Sequence, residues 1–257
     1  MKVVILAGGR GSRLSEETYL KPKPMVEVGN APILWHIMKI YSYYGHNDFI
    51  ICCGYKGEMI KEYFMDYYVR ASDITIDLSL NTYEVHENIV EPWKVTLVDT
   101  GLETNTAGRI MKIKNYLNNE PFMLTYGDGV SNVNINELIE FHNMSKKIGT
   151  ITAAKPAGRW GTIQISENDE SVESFNEKSK SDQAWVNSGF AVFEPELFNY
   201  LTDESQQLEI EPYNRMVEAH QMNAYKHYGF WHPMDTVNDK AILEEYWNSG
   251  NAPWKIW

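Results

Sequence analysis

Cysteine is scarce in this chain of 257 residues, and the two that occur, Cys52 and Cys53, are neighbours in the apolar run FIICC. Successive side chains of a β-strand point to opposite faces, so both thiols are expected to be buried small hydrophobic residues. Two adjacent thiols are too few for a disulfide framework or a structural zinc site. The sequence therefore predicts reduced cysteines and a cytoplasmic protein.

Long apolar runs and an excess of positive charge are also missing. Near the N-terminus only Val3 to Ala7 are continuously apolar before the glycines and Arg10, which is too short for a signal peptide or a membrane span. The chain has 23 Lys and Arg against 35 Asp and Glu, a formal net charge of −12. Nucleic-acid binding depends largely on a basic surface. The sequence thus predicts neither a membrane nor a nucleic acid as partner.

Against this acidic background, the first 24 residues combine a short apolar strand with a glycine-rich loop. Gly8, Gly9 and Gly11 remove side chains that would keep an anion away from the backbone amides. The cations of this stretch are Arg10, Arg13, Lys21 and Lys23. This combination predicts a polyphosphate site; the alternative is an ordinary strand-to-loop connection with surface cations.

Two common phosphate motifs do not fit this loop. A P-loop requires Gly-Lys-Ser/Thr, whereas Gly11 is followed by Ser12 and Arg13, and a dinucleotide fingerprint would need glycine at Leu14. The pattern G-G-x-G-S-R-L followed by K-P-K-P instead resembles the signature of the sugar-phosphate nucleotidyltransferases, in which the loop wraps a nucleoside triphosphate. Ser12 replaces the usual threonine of that family and keeps a small hydroxyl group.

The apolar patterns alternate between strand and helix. Helical spacing from Pro32 to Gly45 is followed by the apolar run 49–53 and a second helical pattern over 56–67, which predicts a parallel sheet. Residues 73–100 read as short strands outside the main sheet. Further predicted elements are helices around 110–117, 135–144 and after Val237, and strands at 122–126, 150–154, 161–165, 172–175 and 186–193.

The predicted fold class is α/β, with a Rossmann-like, mostly parallel sheet flanked by helices and additional mixed β elements, as in the nucleotidyltransferase fold that the resemblance implies. No repeat or linker marks a domain boundary. Residues 1–257 are therefore predicted to form a single nucleotidyltransferase domain, with the nucleotide-binding part mainly in the first half and the sugar-binding part mainly in the second.

Two aspartates are candidate metal ligands. Ligands of open α/β sheets collect beyond the carboxyl ends of the strands, and the strand FMLTY runs directly into Gly127-Asp128-Gly129. Asp235, in GFWHPMDT, precedes the helix predicted at Val237. Asp128 alone could be a turn residue and Asp235 a helix cap. Both match the metal-binding aspartates of the resembled family, which implies Mg²⁺, an ion satisfied by one or two carboxylates plus substrate phosphates.

The resemblance also assigns the remaining site residues. It implies nucleotide binding by Leu6, Ala7, Gly8, Gly9, Arg10, Gly11, Ser12, Arg13, Lys23, Thr104, Arg109, Gly127 and Asp128. It implies sugar-phosphate binding by Gly129, Gly161, Glu177, Lys178, Asn187 and Gly189. Glu177 would bind sugar hydroxyls and Lys178 the phosphate, although Ser179 replaces the proline of the family's E-K-P segment. The alternative for this Glu-Lys pair is a solvated surface feature.

The likeness runs from end to end and implies the substrates. Segments such as DFIICCGYKG, YGDGV and GFWHPMDT are similar to family members that make CDP-glucose from CTP and α-D-glucose 1-phosphate for bacterial surface polysaccharide deoxysugars. The preference for cytosine comes from the resemblance alone. Thymidylyl or uridylyl transfer is an alternative within the class, and a catalytically silent nucleotide sensor is one outside it. The resemblance also implies a homo-oligomer, with a hexamer suggested.

The predicted chemistry is a Mg²⁺-dependent direct displacement with three catalytic residues, Arg13, Lys23 and Asp128. A glucose 1-phosphate oxygen attacks the α-phosphorus of CTP and pyrophosphate leaves. The attacking phosphate is already ionised, so no general base or protein nucleophile is required. Arg13 is assigned to the leaving phosphates and Lys23 to the reacting ones, since such catalysis is mostly positioning and electrostatic stabilisation.

Overall fold

The computed structural model describes residues 1–88, 90–155, 162–165, 172–176 and 184–257. The helices are α1 (Ser15–Thr18), α2 (Ile33–Tyr43), α3 (Gly57–Arg70), α4 (Thr106–Lys112), α5 (Ile135–Ser145), α6 (Glu211–Glu218) and α7 (Val237–Asn248). The strands are β1 (Lys2–Leu6), β2 (Glu27–Val28), β3 (Ala31–Pro32), β4 (Asp48–Cys53), β5 (Ser72–Asp77), β6 (Thr82–Asn88), β7 (Lys94–Asp99), β8 (Phe122–Tyr126), β9 (Gly129–Ser131), β10 (Gly149–Ala154), β11 (Thr162–Ile165), β12 (Val172–Asn176), β13 (Val186–Phe193), β14 (Met222–His227) and β15 (Trp231–Pro233).

A central sheet of seven strands has the order β14-β10-β13-β8-β1-β4-β7. β13 runs antiparallel to both of its neighbours, while the other pairings are parallel. After β1 the chain builds β4 and β7 on one side and later adds β8 on the other, so the strand order reverses between β1 and β8. The predicted α/β class with a mostly parallel sheet is confirmed, and a reversal point of this kind is where such sheets bind ligands.

The alternation of β1 side chains sends apolar groups to both faces of the sheet. Val3 and Ile5 pack into a core with α2, whereas Val4 and Leu6 pack into a second core with α4. A strand buried on both faces needs a continuous apolar run, which explains why VVIL predicted it. Burying each such side chain contributes about 1.5–3 kcal/mol, so β1 is firmly held beneath the loop that follows it.

The segment 72–99 divides between two sheets. β5 and β6 form an antiparallel hairpin outside the main sheet, as predicted for this segment. β7 differs, because it pairs in parallel with β4 and returns to the main sheet. Its partner β4 is almost wholly buried, and β7 satisfies the backbone groups along that edge of β4. The hairpin exposes Ile76, Leu78, Leu80 and Tyr83.

The C-terminal segment packs against α2. Trp254 is fully buried, and its indole N–H donates to Nδ1 of His36 over 3.4 Å. The His36 ring also meets Trp247 edge-on, with ring centroids 4.6 Å apart. The last described helix and its tail therefore close the core on the α2 side. Among the described residues, no helix has the length and apolarity that crossing a membrane would require.

Candidate active site

Two adjoining clefts open at the carboxyl ends of β1 and β8. The first has a volume of about 300 Å³ and the second about 220 Å³, and both are lined by Arg13, Tyr126 and Asp128. The predicted nucleotide-binding residues on the wall of the first cleft are Leu6, Ala7, Gly8, Gly9, Gly11, Ser12, Arg13, Lys23, Thr104, Arg109, Gly127 and Asp128. The second cleft includes Gly129, Asn187, Gly189 and Asp235. The fold thus brings most of the predicted site residues to one place.

Lys23 joins the two candidate metal ligands. Its ammonium nitrogen lies 2.6 Å from Asp128 Oδ2 and 2.7 Å from Asp235 Oδ1. Arg13 Nη1 lies 2.8 Å from the other oxygen of Asp235. Burial of Lys23 lowers its pKa, but the two carboxylates outweigh that effect and raise the pKa overall. Lys23 is therefore a fixed cation at the junction of the clefts.

A small two-stranded sheet formed by distant segments places the two aspartates together. β9 pairs antiparallel with β15, and the Met234 N–H donates to the Asp128 carbonyl over 2.7 Å. Asp128 directly precedes β9, and Asp235 follows β15 by two residues. The helix-cap alternative for Asp235 does not describe this geometry, since the N-cap of α7 is Thr236. The Asp235 carboxylate instead faces Lys23 and Arg13.

The donor set fits a cation that completes its coordination with substrate. In the part of the chain that the structure describes, no group of three or more His, Cys, Asp or Glu side chains could hold a metal ion by itself. Two carboxylates with an ammonium group between them nevertheless mark a position that favours positive charge. Magnesium commonly binds one or two carboxylates together with substrate phosphates and waters. Asp128 and Asp235 are suited to that arrangement.

Arg109 supports the glycine-rich loop from beneath. Its guanidinium group is buried and donates to the carbonyls of Gly8 (3.0 Å), Gly101 (2.9 Å) and Cys53 (3.2 Å). A Cβ atom on Gly8 would lie 2.1 Å from Arg109 Nη1, so this close approach requires glycine. The pKa of Arg109 is lowered by burial. Arg109 lines the first cleft, but these donors are directed at backbone, and a direct contact to a nucleotide stays a prediction.

Two predicted nucleotide residues have other partners. Arg10 is exposed and pairs with Glu103, and it is absent from the lining of the first cleft within the described chain. Thr104 is on that lining, and its hydroxyl accepts from Lys112 Nζ over 3.2 Å. Thr104 is therefore placed at the first cleft, whereas nucleotide binding by Arg10 stays a prediction.

The sugar-phosphate residues are placed only in part. Gly129, Asn187 and Gly189 line the second cleft, and the Gly189 N–H donates to Asn187 Oδ1 over 3.0 Å. Gly189 has a φ of +87°, and a Cβ there would lie 2.6 Å from Tyr126 Cδ2. Gly161, Glu177 and Lys178 lie outside the described residues. The glycine at 189 lets the aromatic ring form the wall between the clefts.

Sequence reasoning missed Tyr126, which lines both clefts. Its hydroxyl donates to Glu209, whose other carboxylate oxygen accepts from the Thr106 hydroxyl over 2.8 Å. Burial is the main cause that raises the pKa of Tyr126 well above its ordinary value. The signal was readable, because Tyr126 is the last residue of the strand that leads into Gly127-Asp128. A polar-tipped aromatic at a strand's carboxyl end points to the ligand edge.

Comparison with known proteins shows the family of this chain. Residues 2–248 match the sequence profile of the family described as nucleotidyl transferase. The chain is 50% identical over 258 aligned residues to a glucose-1-phosphate cytidylyltransferase of Salmonella typhi, with all of both chains covered. It is 43% identical, again over the whole of both chains, to a probable glucose-1-phosphate cytidylyltransferase of Bacillus subtilis.

Solved structures agree on the fold. A UDP-glucose pyrophosphorylase in complex with UDP-glucose superposes with a TM-score of 0.68 at 15% identity, covering 97% of this chain and 98% of the other. At that identity the likeness supports the architecture alone. The same nucleotidyltransferase-like α/β arrangement is therefore reached by a very different sequence.

Proposed function

The chain belongs to the nucleotidyl transferase family, and on that premise we propose that it transfers a cytidylyl group from CTP to α-D-glucose 1-phosphate, giving CDP-glucose and pyrophosphate. The observation that carries this proposal is the Lys23 ammonium, held between Asp128 and Asp235 where two clefts meet. Two substrates that react through phosphates need adjoining sites with shared positive charge. The two clefts share Arg13 and Asp128 on their walls.

The nucleotide is proposed to occupy the first cleft, with its phosphates toward the glycine-rich loop. Gly8 and Gly9 leave backbone accessible there, while Arg13 and Lys23 supply charge. Glucose 1-phosphate is proposed to occupy the second cleft beside Asn187 and Gly189. Glu177 and Lys178 are proposed to complete that subsite, and Gly161 to allow close approach of the sugar; all three remain assignments from sequence.

The chemistry proposed is a direct displacement at the α-phosphorus. A phosphate oxygen of glucose 1-phosphate forms the new P–O bond, and the bond to the β-phosphate oxygen breaks to release pyrophosphate. The phosphate nucleophile is already an anion, so the chain's task is to orient both groups and stabilise charge. Lys23 is proposed to contact the reacting phosphates, and Arg13 the leaving ones.

Members of this family generally use a divalent metal, and Mg²⁺ is the ion proposed for this chain. Asp128 and Asp235 would hold it, since Lys23 already marks the space between them as favourable for a cation. When bound, Mg²⁺ would neutralise phosphate charge. The residues' own part is to present two carboxylate groups at the junction of the clefts.

The choice of CTP rests on the relatives that match over the whole chain. These relatives are a glucose-1-phosphate cytidylyltransferase at 50% identity and a probable one at 43%. The decisive assay offers CTP, UTP, dTTP and ATP separately with glucose 1-phosphate and Mg²⁺, and measures pyrophosphate and sugar nucleotide. Formation of CDP-glucose in clear preference to the other products is the expected result.

The same assay separates the alternatives. Preference for UTP or dTTP would keep the reaction class and overturn the cytidylyl assignment. No product with any triphosphate, combined with nucleotide binding, would favour a sensor. The persistence of Arg13, Lys23, Asp128 and Asp235 in one connected cluster argues for catalysis, because a sensor has no need of a catalytic charge network.

We also propose the domain organisation, the cellular role and the assembly of the protein. Residues 1–257 are proposed to act as one nucleotidyltransferase domain in a cytoplasmic enzyme that supplies CDP-linked deoxysugar synthesis for surface polysaccharide. A homo-oligomer, with a hexamer as the first expectation, is supported by the apolar residues that hairpin β5–β6 exposes. Sedimentation or light scattering should give a mass above 29.7 kDa, and a stable monomer would contradict the oligomer.

A further inference from the structure

We propose that Asp239 is a positioning residue that holds Asp235 in the orientation needed to bind a divalent metal with the nucleotide. The inference rests on the proposed function for the role of Asp235, but its geometry stands on contacts of the described chain. Asp239 itself does not line either cleft in the described chain. It acts from behind, through the backbone that carries Asp235.

The Asp239 carboxylate accepts several hydrogen bonds from the turn between β15 and α7. Its Oδ2 accepts from the backbone N–H of Asp235 over 3.2 Å and from that of Thr236 over 2.8 Å. The Thr236 hydroxyl donates to the same oxygen over 2.8 Å. Asp235 is thereby held at its own amide, two residues before α7 begins. From that backbone its carboxylate reaches Lys23 and Arg13.

The Asp239 carboxylate is more deeply buried than that of Asp235, whose backbone it holds. The side chain of Asp239 is 3% exposed, against 17% for that of Asp235. Its second oxygen lies 3.3 Å from Nε2 of His232, which belongs to β15 on the other side of the same turn. A buried carboxylate must find donors, and the hydrogen bonds to Asp239 Oδ2 come from Asp235 and Thr236, in the turn that carries the candidate metal ligand. The turn has therefore little freedom to move while Asp239 keeps its charge.

The plainer reading is a helix cap. Thr236 and Asp239 do form a capping box, in which each side chain bonds the other's backbone N–H. That motif requires the N–H of Thr236 and not the N–H of Asp235. The additional bond to Asp235, and the approach of His232 to the same carboxylate, go beyond a cap. Both contacts connect Asp239 to the segment that carries the candidate metal ligand Asp235.

Small displacements of a metal ligand reduce metal affinity and activity. Reacting groups must be held within about 0.5 Å of the productive geometry. Loss of residues that orient metal ligands typically weakens metal affinity or activity about ten- to a hundredfold. Asp239→Asn keeps the shape of the side chain but removes the charge that gathers these donors. Its main consequence should be weaker metal binding with the nucleotide, beyond any loss of fold stability.

The test compares Asp239→Asn with two cap controls. Thr236→Val removes the capping hydroxyl of the same helix and leaves both backbone N–H bonds to Asp239. Asn134→Ala removes the cap of α5, where Asn134 Oδ1 accepts from Asn136 and Glu137 N–H. Mn²⁺ affinity in the presence of CTP is measured by electron paramagnetic resonance, together with thermal unfolding of the metal-free protein. Hydrogen exchange of the Asp235 and Thr236 amides is followed in the same metal-free samples.

Asp239→Asn is expected to weaken Mn²⁺ binding about ten- to a hundredfold and to speed exchange at the Asp235 amide. The KM for metal should rise more than kcat falls, and excess Mn²⁺ should restore part of the rate. The two controls should lower the unfolding temperature while keeping Mn²⁺ affinity within twofold of wild type. Asp239→Glu, which keeps the buried charge, replaces Asp239→Asn if that variant does not fold, with a smaller loss expected.

Wild-type Mn²⁺ affinity in Asp239→Asn, or an equal loss in Thr236→Val, would overturn the positioning role. Unchanged exchange at the Asp235 amide would also overturn it, without reference to any substrate. Failure of the wild-type protein to bind CTP with metal would instead count against the proposed function. The amide-exchange result then decides whether Asp239 holds the turn.

Discussion

The ammonium nitrogen of Lys23 lies 2.6 Å from Oδ2 of Asp128, although the residues are 105 positions apart. The same nitrogen lies 2.7 Å from Asp235. A lysine therefore stands in the space between two carboxylates that are proposed to hold Mg²⁺. A metal ion held by both carboxylates would compete with Lys23 for them, and the phosphates of an incoming nucleotide would offer the lysine a new partner.

Replacing Lys23 should have two opposite effects. Lys23→Met should lower turnover about a hundred- to thousandfold, since a preorganised charge at the reacting phosphates is lost. It should also strengthen binding of Mn²⁺ alone, because Asp128 and Asp235 then lack their internal cation. Turnover is read from pyrophosphate release, and metal affinity from electron paramagnetic resonance without nucleotide.

The matched control for this prediction is Lys21→Met. Lys21 pairs with the largely exposed Glu27 at 3.0 Å, and exposed pairs contribute little. Both properties should stay near wild type in that variant. Near-normal turnover in Lys23→Met would remove the residue from the mechanism, and weaker binding of Mn²⁺ alone would disprove its counter-cation role.

The glycine-rich loop offers a comparison between neighbours. Gly8→Ala should destabilise the metal-free protein by about 1–3 kcal/mol, because the new methyl group meets the buried Arg109 guanidinium. Gly9→Ala is the control, since no atom lies within 4 Å of the added Cβ. Its change should stay within about 0.5 kcal/mol. Urea unfolding measures both, and equal stability of the two variants would show that Arg109 yields readily.

The wall between the clefts can be tested at Gly189. Gly189→Ala should lower catalytic efficiency toward glucose 1-phosphate roughly a hundredfold, because the methyl group displaces Tyr126. Gly45→Ala has nearly the same backbone strain, with a φ of +85°, but nothing lies within 4 Å of its Cβ. The positive φ should cost each variant about 1–2 kcal/mol of stability, and the contact with Tyr126 should add to the loss in Gly189→Ala. Steady-state kinetics should separate them, and normal kinetics for Gly189→Ala would contradict the role of the wall.

Acid sensitivity is expected from His36. Burial is the main cause that lowers its pKa to about 4 from the ordinary 6.5. The unfolded chain therefore binds the proton more readily, and stability should fall as pH drops from about 6.5 to about 4, by about 3 kcal/mol in total. His36→Gln should flatten this part of the curve.

The hydrogen bonds of its two ring nitrogens explain why His36 resists protonation. Nδ1 accepts from Trp254, so Nε2 carries the hydrogen that bonds the Val28 carbonyl at 2.9 Å. A second proton on Nδ1 would face the indole N–H. Urea unfolding from pH 7.5 to 4.5 gives the slope, and the exposed His220→Gln is the control. A wild-type slope in His36→Gln would assign the acid loss to other groups.

The strands at the centre of the sheet could be predicted because they are buried on both faces. VVIL, FIICC and FMLTY are continuous apolar runs, and all three became neighbouring strands. The return of residues 94–99 to the sheet could not be read, since short alternating strands look alike inside and outside a sheet. Their place depends on the exposed edge of β4, which is a tertiary property.

The candidate site divides in the same way. Glycines and cations in fixed order predicted the loop, and a carboxylate after a strand predicted Asp128. Local sequence does not contain the convergence of Lys23 with Asp235, 212 positions away. The pairing of Thr236 with Asp239 had a readable signal, because a threonine three residues before an acid marks a capping box. No sequence pattern indicates the additional hydrogen bond from the Asp235 N–H to Asp239.

The contact between His36 and Trp254 spans 218 positions of the chain. Synthesis at about 5–20 residues per second separates these two residues by roughly ten to forty seconds. During that interval α2 has left the ribosome without the tryptophans that cover it, and Lys23 has no Asp235. Lys23 can therefore meet Asp235 only after the 212 positions that separate them have been synthesised, and Trp254 covers α2 later still.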